Sequence, residues 1–255
     1  MSSSRSFRLL LVLVALVLFA SAASAVTVSD ANSPNDVRVG TKVDASFTVS
    51  KLYQNPNNPQ WTLQTETELK NVTWTFKLVD QGGNVVSTQS ADGQQANQSL
   101  SIDDGVSEVQ VEVTGAVPAV SNYSYDPAPT FLVAKLTHAR DGGTSSTIQT
   151  YEATHYTADS RQARQAIESA QSAIDAAGGN AQAEETLQSA ISAYQGENFE
   201  NAVTLAQRAQ REAGQAQQTQ QRNQLFIYGA IAVVVIAVVV GAAYWYLNRD
   251  TGSRL

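Results

Sequence analysis

Asn71-Val-Thr-Trp-Thr-Phe-Lys-Leu-Val-Asp80 alternates apolar and polar side chains with a period of two. Because successive side chains of a β-strand point to opposite faces, Val72, Trp74, Phe76 and Leu78 share one face. The next residues, Asp80-Gln-Gly-Gly-Asn84, combine glycine with short polar side chains, as tight turns do. This region therefore predicts a half-buried strand followed by a turn, as in an antiparallel sheet.

The same alternation recurs on both sides of this strand, at residues 43–49 and 109–113. The segments Thr130–Thr137 and Ser146–His155 flank Asp141-Gly-Gly143 and predict a hairpin. About seven short strands across residues 26–157 favour an antiparallel β-sandwich outside the cytoplasm. This architecture resembles the immunoglobulin and fibronectin type of surface module, although the cysteines of an immunoglobulin disulfide are absent.

After Thr157 the apolar period changes to that of a helix, and residues 158–213 predict a helical hairpin or a three-helix stalk. Gly178-Gly179 ends the first helix, and Asn180 is placed to cap the second. The stretch from Tyr194 to Ala202, Tyr-Gln-Gly-Glu-Asn-Phe-Glu-Asn-Ala, resembles the helix–turn–helix of tetratricopeptide units. Such arrays normally need three or more units, so a single one predicts a hairpin and not a binding superhelix.

Both ends of the chain are apolar. Residues 1–25 have the charged, apolar and small-residue parts of a secretory signal, with cleavage expected before Val26. Residues 225–247 carry no charge and are long enough for a transmembrane helix. A glutamine-rich spacer, 214–224, would precede this helix, and a cytoplasmic tail, 248–255, would follow it. We therefore expect an integral, single-pass protein of the cell membrane with its N-terminal domain outside.

The composition excludes several classes of function. Residues 26–224 contain 22 acidic and 12 basic side chains, and such a surface repels the phosphates of nucleic acids. Only 5 of the 16 basic residues are lysine, so the chain resembles archaeal surface proteins, haloarchaeal ones in particular. There is no cysteine, which excludes disulfides and cysteine-bound metals.

The sequence offers no catalytic set. Its two histidines, His138 and His155, fall far apart on the predicted hairpin, opposite Thr147 and Thr130 respectively. No hydrolase, metalloprotease or phosphate-binding motif is present. We therefore expect no enzymatic activity, no catalytic residues, no cofactor and no metal.

Two kinds of surface feature stand out. Asn71, Asn97 and Asn122 each begin an N-glycosylation sequon, and Asn97 is expected in a polar stretch between strands. The proline-rich loop around Tyr123 and Tyr125 is either a contact loop or a cover for one end of the sandwich core.

These features predict a membrane-anchored surface protein that presents a β-sandwich to another envelope protein or to a glycan. Two alternatives stay open. One is an accessory subunit of a membrane protein complex. The other is a ligand-binding or sensory ectodomain that lacks a signalling domain of its own.

Overall fold

A computed structural model describes residues 26–54, 59–140, 142–143 and 145–215. These residues form two compact units. The sheet unit contains the described residues up to Val120 together with Pro129–Tyr156. The helical unit contains Ser121–Ala128 together with the described residues from Thr157 onward. The loop 121–128 is thus assigned to the helices, although it lies between two strands in the sequence.

The described part of the sheet unit contains ten strands. In chain order they are β1 (Thr27–Asn32), β2 (Asp36–Arg38), β3 (Lys42–Ser50), β4 (Gln60–Glu66), β5 (Lys70–Asp80), β6 (Val85–Asp92), β7 (Gln95–Ser101), β8 (Val106–Ala116), β9 (Thr130–Ala139) and β10 (Ser146–Tyr156). The first sheet has the order β1-β3-β8-β5-β6, and the second has the order β2-β10-β9-β4-β7. A short 3-10 helix, Ile102–Asp104, precedes β8.

The inward faces of the two sheets share one apolar core. In β5 the alternation is nearly regular, with Trp74 and Phe76 at 0% and 1% exposure. β3, β8 and β9 contribute buried side chains to the same cluster, among them Phe47, Val111 and Leu136. Because this cluster draws on both sheets, apolar burial between them is the main stabilising force of the unit.

The predicted strands at residues 43–49, 72–78 and 109–113 and the predicted hairpin are confirmed as β3, β5, β8 and the β9–β10 pair. Other parts of the predicted sandwich need correction. The sheets hold ten strands instead of about seven, and β2 pairs with β10 in parallel, so the second sheet is not wholly antiparallel. β2 has only three residues, too few for its alternation to be recognised in the sequence.

The helical unit contains three helices within the described residues: α1 (Ala158–Ala176), α2 (Ala181–Gln195) and α3, which spans residues 199–215. Asn180 caps α2 as predicted, since its side chain accepts a hydrogen bond from the amide of Ala183 at 2.9 Å. Gly178 and Gly179 have φ of +79° and +90°, a conformation that ends a helix at little cost to glycine. Buried alanines and a few larger side chains, such as Ile167 and Leu187, fill the core of this unit.

The predicted fold class also ended in a transmembrane helix, and that element is corrected. Among the residues that the structure describes, no helix is long and apolar enough to cross a membrane. The segment on which the prediction rested, residues 225–247, lies outside the described residues, as do the signal segment 1–25, most of the spacer 214–224 and the tail 248–255.

Candidate interaction surface

Two edge strands that follow each other in the chain define a surface of the sheet unit. β6 is the last strand of the first sheet, and β7 is the last strand of the second. Only Gly93 and Gln94 separate them in sequence. We call residues 81–102, which contain both strands and their flanking turns, the edge surface.

The edge surface has almost no charge. Asp92 is the one charged residue among its 22 positions, in a chain with 23 acidic and 16 basic residues. Amide and hydroxyl side chains dominate instead. The exposed large apolar residues of the described chain, Val85, Val86 and Ile102, all lie on this surface at 53%, 52% and 50% exposure. Low charge combined with exposed apolar area is typical of the central part of a protein interface.

Elsewhere the sheets expose charged pairs on their outer faces. Lys77 on β5 contacts Glu112 on β8 at 2.6 Å, and Lys135 on β9 lies 3.7 Å from Glu66 on β4. Both pairs are partly exposed, so they contribute little to stability. They do make the sheet faces hydrophilic, which sets them apart from the edge surface.

β6 is held in place through β5. Gln89 and Ala91 lie opposite Phe76 and Trp74, so they take the inward side of the strand, and Ala91 packs against the core. On the outward side, Thr73 donates a hydrogen bond to the Asp92 carboxylate at 2.7 Å. These contacts order the side of β6 that faces β5. Because β6 ends the sheet, its other side has no strand partner among the described residues.

The turn between β6 and β7 is fixed by side chains and backbone of the core. The amide of Gly93 donates to the carbonyl of Val72 at 3.0 Å, and the Trp74 indole donates to the carbonyl of Gly93 at 3.1 Å. The side-chain amide of Gln94 donates to the carbonyl of Leu69 at 3.0 Å. A shallow cleft of about 440 Å³ lies beside this turn, lined by residues 69–73 and 92–94. These hydrogen bonds hold the turn that joins the two strands of the edge surface.

Side-chain hydrogen bonds also hold the turn between β5 and β6. The Asp80 carboxylate accepts hydrogen bonds from the backbone amide of Asn84 at 2.9 Å and from its side chain at 3.2 Å. These hydrogen bonds lower the pKa of Asp80, so its carboxylate stays ionised to lower pH than an ordinary aspartate. This confirms the tight turn predicted at residues 80–84.

Gln98 is an unusual polar residue on the inward side of β7. It is 3% exposed and lies between Ala96 and Leu100, which face the same core. Its amide nitrogen donates to the carbonyl of Ser99, while its Oε1 has no hydrogen-bond partner in the part of the chain that the structure describes. A buried acceptor without a partner is costly, so β7 carries a polar group that sheet packing does not require.

All three sequon asparagines are exposed, but they lie in different places. Asn71 has φ of +52° and lines the cleft beside the β6–β7 turn. Asn97 lies within β7, paired with Gln64, so its predicted position between strands was wrong. Asn122 belongs to the helical unit. Whether any of them carries a glycan stays a prediction.

The loop tyrosines pack against side chains of the helical unit. Tyr123 is 7% exposed, and its ring centroid lies 4.8 Å from that of Phe199. Tyr125 meets the Tyr194 ring at 6.0 Å, and the Arg164 guanidinium lies 4.7 Å from the Tyr125 ring centroid. Burial raises the pKa of both loop tyrosines. Tyr123 is therefore a core residue of the helical unit. Whether the loop also contacts another molecule or covers the sandwich stays a prediction.

The two histidines are packing residues of separate strands. His138 stacks on Trp61 with ring centroids 4.4 Å apart. His155 lies 5.2 Å from the Phe131 ring, and its Nδ1 is 3.2 Å from the carbonyl oxygen of Pro118. His138 pairs with Ser146 instead of Thr147, and Thr130 pairs with Thr154 instead of His155, because two irregularities shift the predicted register by one residue at both ends of the hairpin. No group of three or more metal-binding side chains occurs among the described residues.

No family model matches this chain, and no curated protein is similar to it. Among solved structures, the sporulation control protein Spo0M of Bacillus subtilis aligns at 11% identity and a TM-score of 0.31, over 57% of this chain and 55% of Spo0M. The SrpA adhesin of Streptococcus sanguinis aligns at 13% identity and a TM-score of 0.23, over 54% of this chain and 60% of SrpA. AggA, the major subunit of aggregative adherence fimbriae type I from Escherichia coli, aligns at 15% identity and a TM-score of 0.26, over 52% of this chain and 95% of AggA.

Two of these three similar structures are thus an adhesin and a fimbrial subunit, and all the TM-scores are below 0.5. At such scores the likeness carries no argument about what this chain binds. None of the three proteins bears on an archaeal origin, which stays a prediction from composition.

The edge surface itself was missed by the sequence reasoning. Its signal was present, since residues 81–102 form a charge-poor stretch in an acidic chain. That signal looks like a polar linker until β6 and β7 are known to be neighbouring sheet edges.

Proposed function

We propose that this chain is a non-enzymatic surface protein whose sheet unit binds another envelope protein or a glycan through the edge surface. The observation that carries the proposal is the coincidence of three properties in residues 81–102. These are two open strand edges, a single charge, and all of the exposed large apolar residues of the described chain.

The physical argument concerns desolvation. Binding removes water from both partners, and stripping water from charged groups costs far more than stripping it from amides, hydroxyls or valine side chains. An acidic protein therefore binds most readily where it has fewest charges. Gln89 and Gln95 can exchange water for the hydroxyls of a sugar or the backbone of a peptide, while Val85 and Val86 supply apolar area.

Exposure outside the cytoplasm remains part of the proposal. It is supported by the signal-like segment 1–25. N-terminal sequencing of the mature protein checks this part separately, with Val26 as the expected first residue.

Photo-crosslinking in intact cells tests the binding surface. A benzophenone amino acid replaces Gln89 on β6 or Gln95 on β7, both of which are exposed. Matched controls replace the exposed Gln149 on β10 and Gln188 on α2. We expect discrete crosslinked products from the two edge positions at several times the yield of the controls.

Mass spectrometry of the products identifies a protein partner, and periodate sensitivity identifies a glycan. Equal yields at all four positions, or a maximum at Gln149 or Gln188, would contradict the proposal. A soluble fragment is not needed, because the experiment uses the full chain where it is expressed.

A further inference from the structure

We infer that β6 pairs with β6 of a second copy of this chain, joining two first sheets edge to edge. The inference rests on the proposed function, because it names one partner for the edge surface. It starts from a comparison of the four strand edges that the described sheets leave open, those of β1, β6, β2 and β7.

Two of these edges carry features that oppose strand addition, and a third lacks exposed apolar side chains. β1 contains Asp30 at φ of +47° and a register shift between Ser29 and Asn32. β2 has three residues, of which Asp36 and Arg38 are charged. β7 is uncharged but contains no exposed large apolar residue, whereas β6 contains Val85 and Val86. Short strands, bulges and charges are the usual means by which proteins protect sheet edges.

β6 lacks these protections over most of its length. Its pairing with β5 is regular from Ser87 to Asp92, and the irregularity lies at Val86, before this run. No residue from Gln81 to Ala91 is charged, and none is proline. An extended strand edge of this kind presents backbone donors and acceptors that another strand can satisfy.

A second copy fits this edge because the sequence is complementary to itself. In a two-fold antiparallel pair centred on Gln89 or on Ser90, the central residue lies opposite its own copy, and Asp92 lies opposite Val86 or Thr88, so no charged residue lies opposite another. The two Asp92 carboxylates are then six or four rungs apart, about 20 or 14 Å. That separation exceeds the Debye length of about 8 Å at physiological ionic strength, so their repulsion is largely screened.

The acidity of the chain favours this site over other contacts between copies. At a net charge of −7, two copies repel each other wherever acidic side chains meet. Pairing through β6 brings together strands in which Asp92 is the one charged residue. It also brings Val85 and Val86, each about half exposed, close to the partner strand, where apolar burial adds to the backbone hydrogen bonds.

The absence of cysteine makes a clean test available, because each variant contains a single thiol. The full chain carries Gln89→Cys or Ser90→Cys and is exposed to a mild oxidant in cells. Paired residues of antiparallel strands have Cα atoms about 4.5–5.5 Å apart, within the range that a disulfide spans. We expect disulfide-linked dimers at one or both positions.

Two control cysteines test whether the two copies meet at β6 and not elsewhere on the first sheet. Thr75→Cys lies on β5, opposite Ser90 and one strand further in, and Ser29→Cys lies on β1, at the other edge of the same sheet. In the β6 pair, two Thr75 positions are about 14 Å apart, three strand spacings. Dimer yields at Gln89 or Ser90 should exceed both controls several-fold.

A charge variant tests whether the crosslinked dimer reflects stable pairing. Ser90→Asp in the Gln89→Cys background adds a carboxylate to each copy at the contact and should reduce the dimer yield several-fold. Thr75→Asp in the same background adds the same charge one strand away and should leave the yield nearly unchanged. Melting temperatures of the variants show that both still fold.

The inference is overturned if β6 cysteines give no more dimer than Thr75→Cys and Ser29→Cys, or if Ser90→Asp and Thr75→Asp act equally. Such a result alongside strong photo-crosslinking of Gln89 to a different molecule would leave the proposed function standing with another partner. Failure of both experiments would reject both proposals.

Discussion

Gly115 lies in β8 where the chain of the β4–β5 connection passes closely. A Cβ atom at this position would lie 2.8 Å from the Leu69 Cβ and 3.0 Å from the carbonyl oxygen of Lys70. Neither atom is the end of a flexible side chain, so the strands would have to move apart. The absence of a side chain at Gly115 is therefore a packing requirement of the first sheet.

We predict that Gly115→Ala lowers the free energy of unfolding by about 1–3 kcal/mol, the usual range for overpacking. Gly214→Ala is the matched control, because a Cβ there meets no atom within 4 Å and the residue is helical. The control should stabilise slightly, by up to about 1 kcal/mol, through helix propensity. Urea unfolding of the two variants measures both changes, and equal effects would contradict this account of Gly115.

His138 links pH to the stability of the sheet unit. Burial beside Trp61, and secondarily the positive charge of Arg140, lowers its pKa in the folded state. As pH falls below the ordinary histidine value of about 6.5, the unfolded chain binds the proton first. Stability contributed by the neutral ring is thus complete above that value and is lost as pH falls toward the folded pKa.

We therefore expect the NMR titration of the His138 ring to have its midpoint below the ordinary value, with the signal assigned by its loss in His138→Gln. The same variant should lose part of the acid sensitivity of unfolding. A midpoint at or above the ordinary histidine value would contradict the packing described for this residue.

Tyr53 is a second test of burial. Desolvation, with a further contribution from the negative charge of Asp104, raises its pKa to about 12. Its hydroxyl is buried and has no hydrogen-bond partner within the described protein. Between about pH 10 and pH 12 the Tyr53 phenol therefore keeps its proton in the folded state and loses it in the unfolded state. The free energy of unfolding then falls as pH rises from about 10 toward 12.

The ultraviolet difference between the protein and Tyr53→Phe should show a phenol that ionises near pH 12. Because the hydroxyl is unpaired, Tyr53→Phe should leave the stability at neutral pH within about 1 kcal/mol of the original or slightly above it. A loss of several kcal/mol would indicate a hydrogen bond that the structure does not contain.

At the scale of elements, Arg164 on α1 holds the loop 121–128 in the helical unit. One of its guanidinium nitrogens donates to the carbonyls of Ser124 at 3.1 Å and Tyr125 at 2.6 Å. The same group lies over the rings of Tyr125 and Tyr194. A planar guanidinium can do both at once, whereas the lysine ammonium cannot.

Arg164→Lys should therefore loosen the loop. We expect faster amide exchange across residues 121–128 and a loss of about 1–3 kcal/mol from the unfolding of the helical unit. Arg211→Lys, at an exposed position of α3, is the control and should change neither quantity. Unchanged exchange in Arg164→Lys would show that the aromatic contacts alone order the loop.

What could be predicted from the sequence differs between elements for physical reasons. β5 is buried on one face only, so its alternation of Trp74 and Phe76 with threonines marks it clearly. β6 has exposed side chains on both faces, and its adjacent valines followed by polar residues give no period. β7 does alternate, but Gln98 interrupts its apolar side. The alternation of apolar and polar residues reveals which face of a strand is buried, and an edge strand such as β6 has few buried side chains.

The loop 121–128 escaped the prediction for another reason. Its tyrosines contact Tyr194 and Phe199, about 70 residues later in the chain, and no local pattern reveals such a contact. Asn180, by contrast, caps a helix that begins at the next residue, so its role could be read directly. The edge surface is also formed by contacts that no local pattern reveals, since it exists only when two sheet edges are brought side by side.

At the scale of the whole molecule, the charged pairs on the outer faces of the sheets contrast with residues 81–102, in which Asp92 is the one charged residue. The charged pairs on the sheet faces favour solubility in an acidic protein. Residues 81–102 lack that protection and retain exposed valines. An edge strand without lysine or proline is open to strand addition, which is what the proposed pairing requires.

The most direct measurement is amide hydrogen exchange of the full chain in the cells that express it, compared with the same chain purified and dilute. The proposed binding through the edge surface predicts that the protection added in cells is concentrated in residues 85–101, with little change in β3, β8 or the helices. No added protection at β6 and β7, or protection centred on the outer faces of the sheets or on α1–α3, would contradict it.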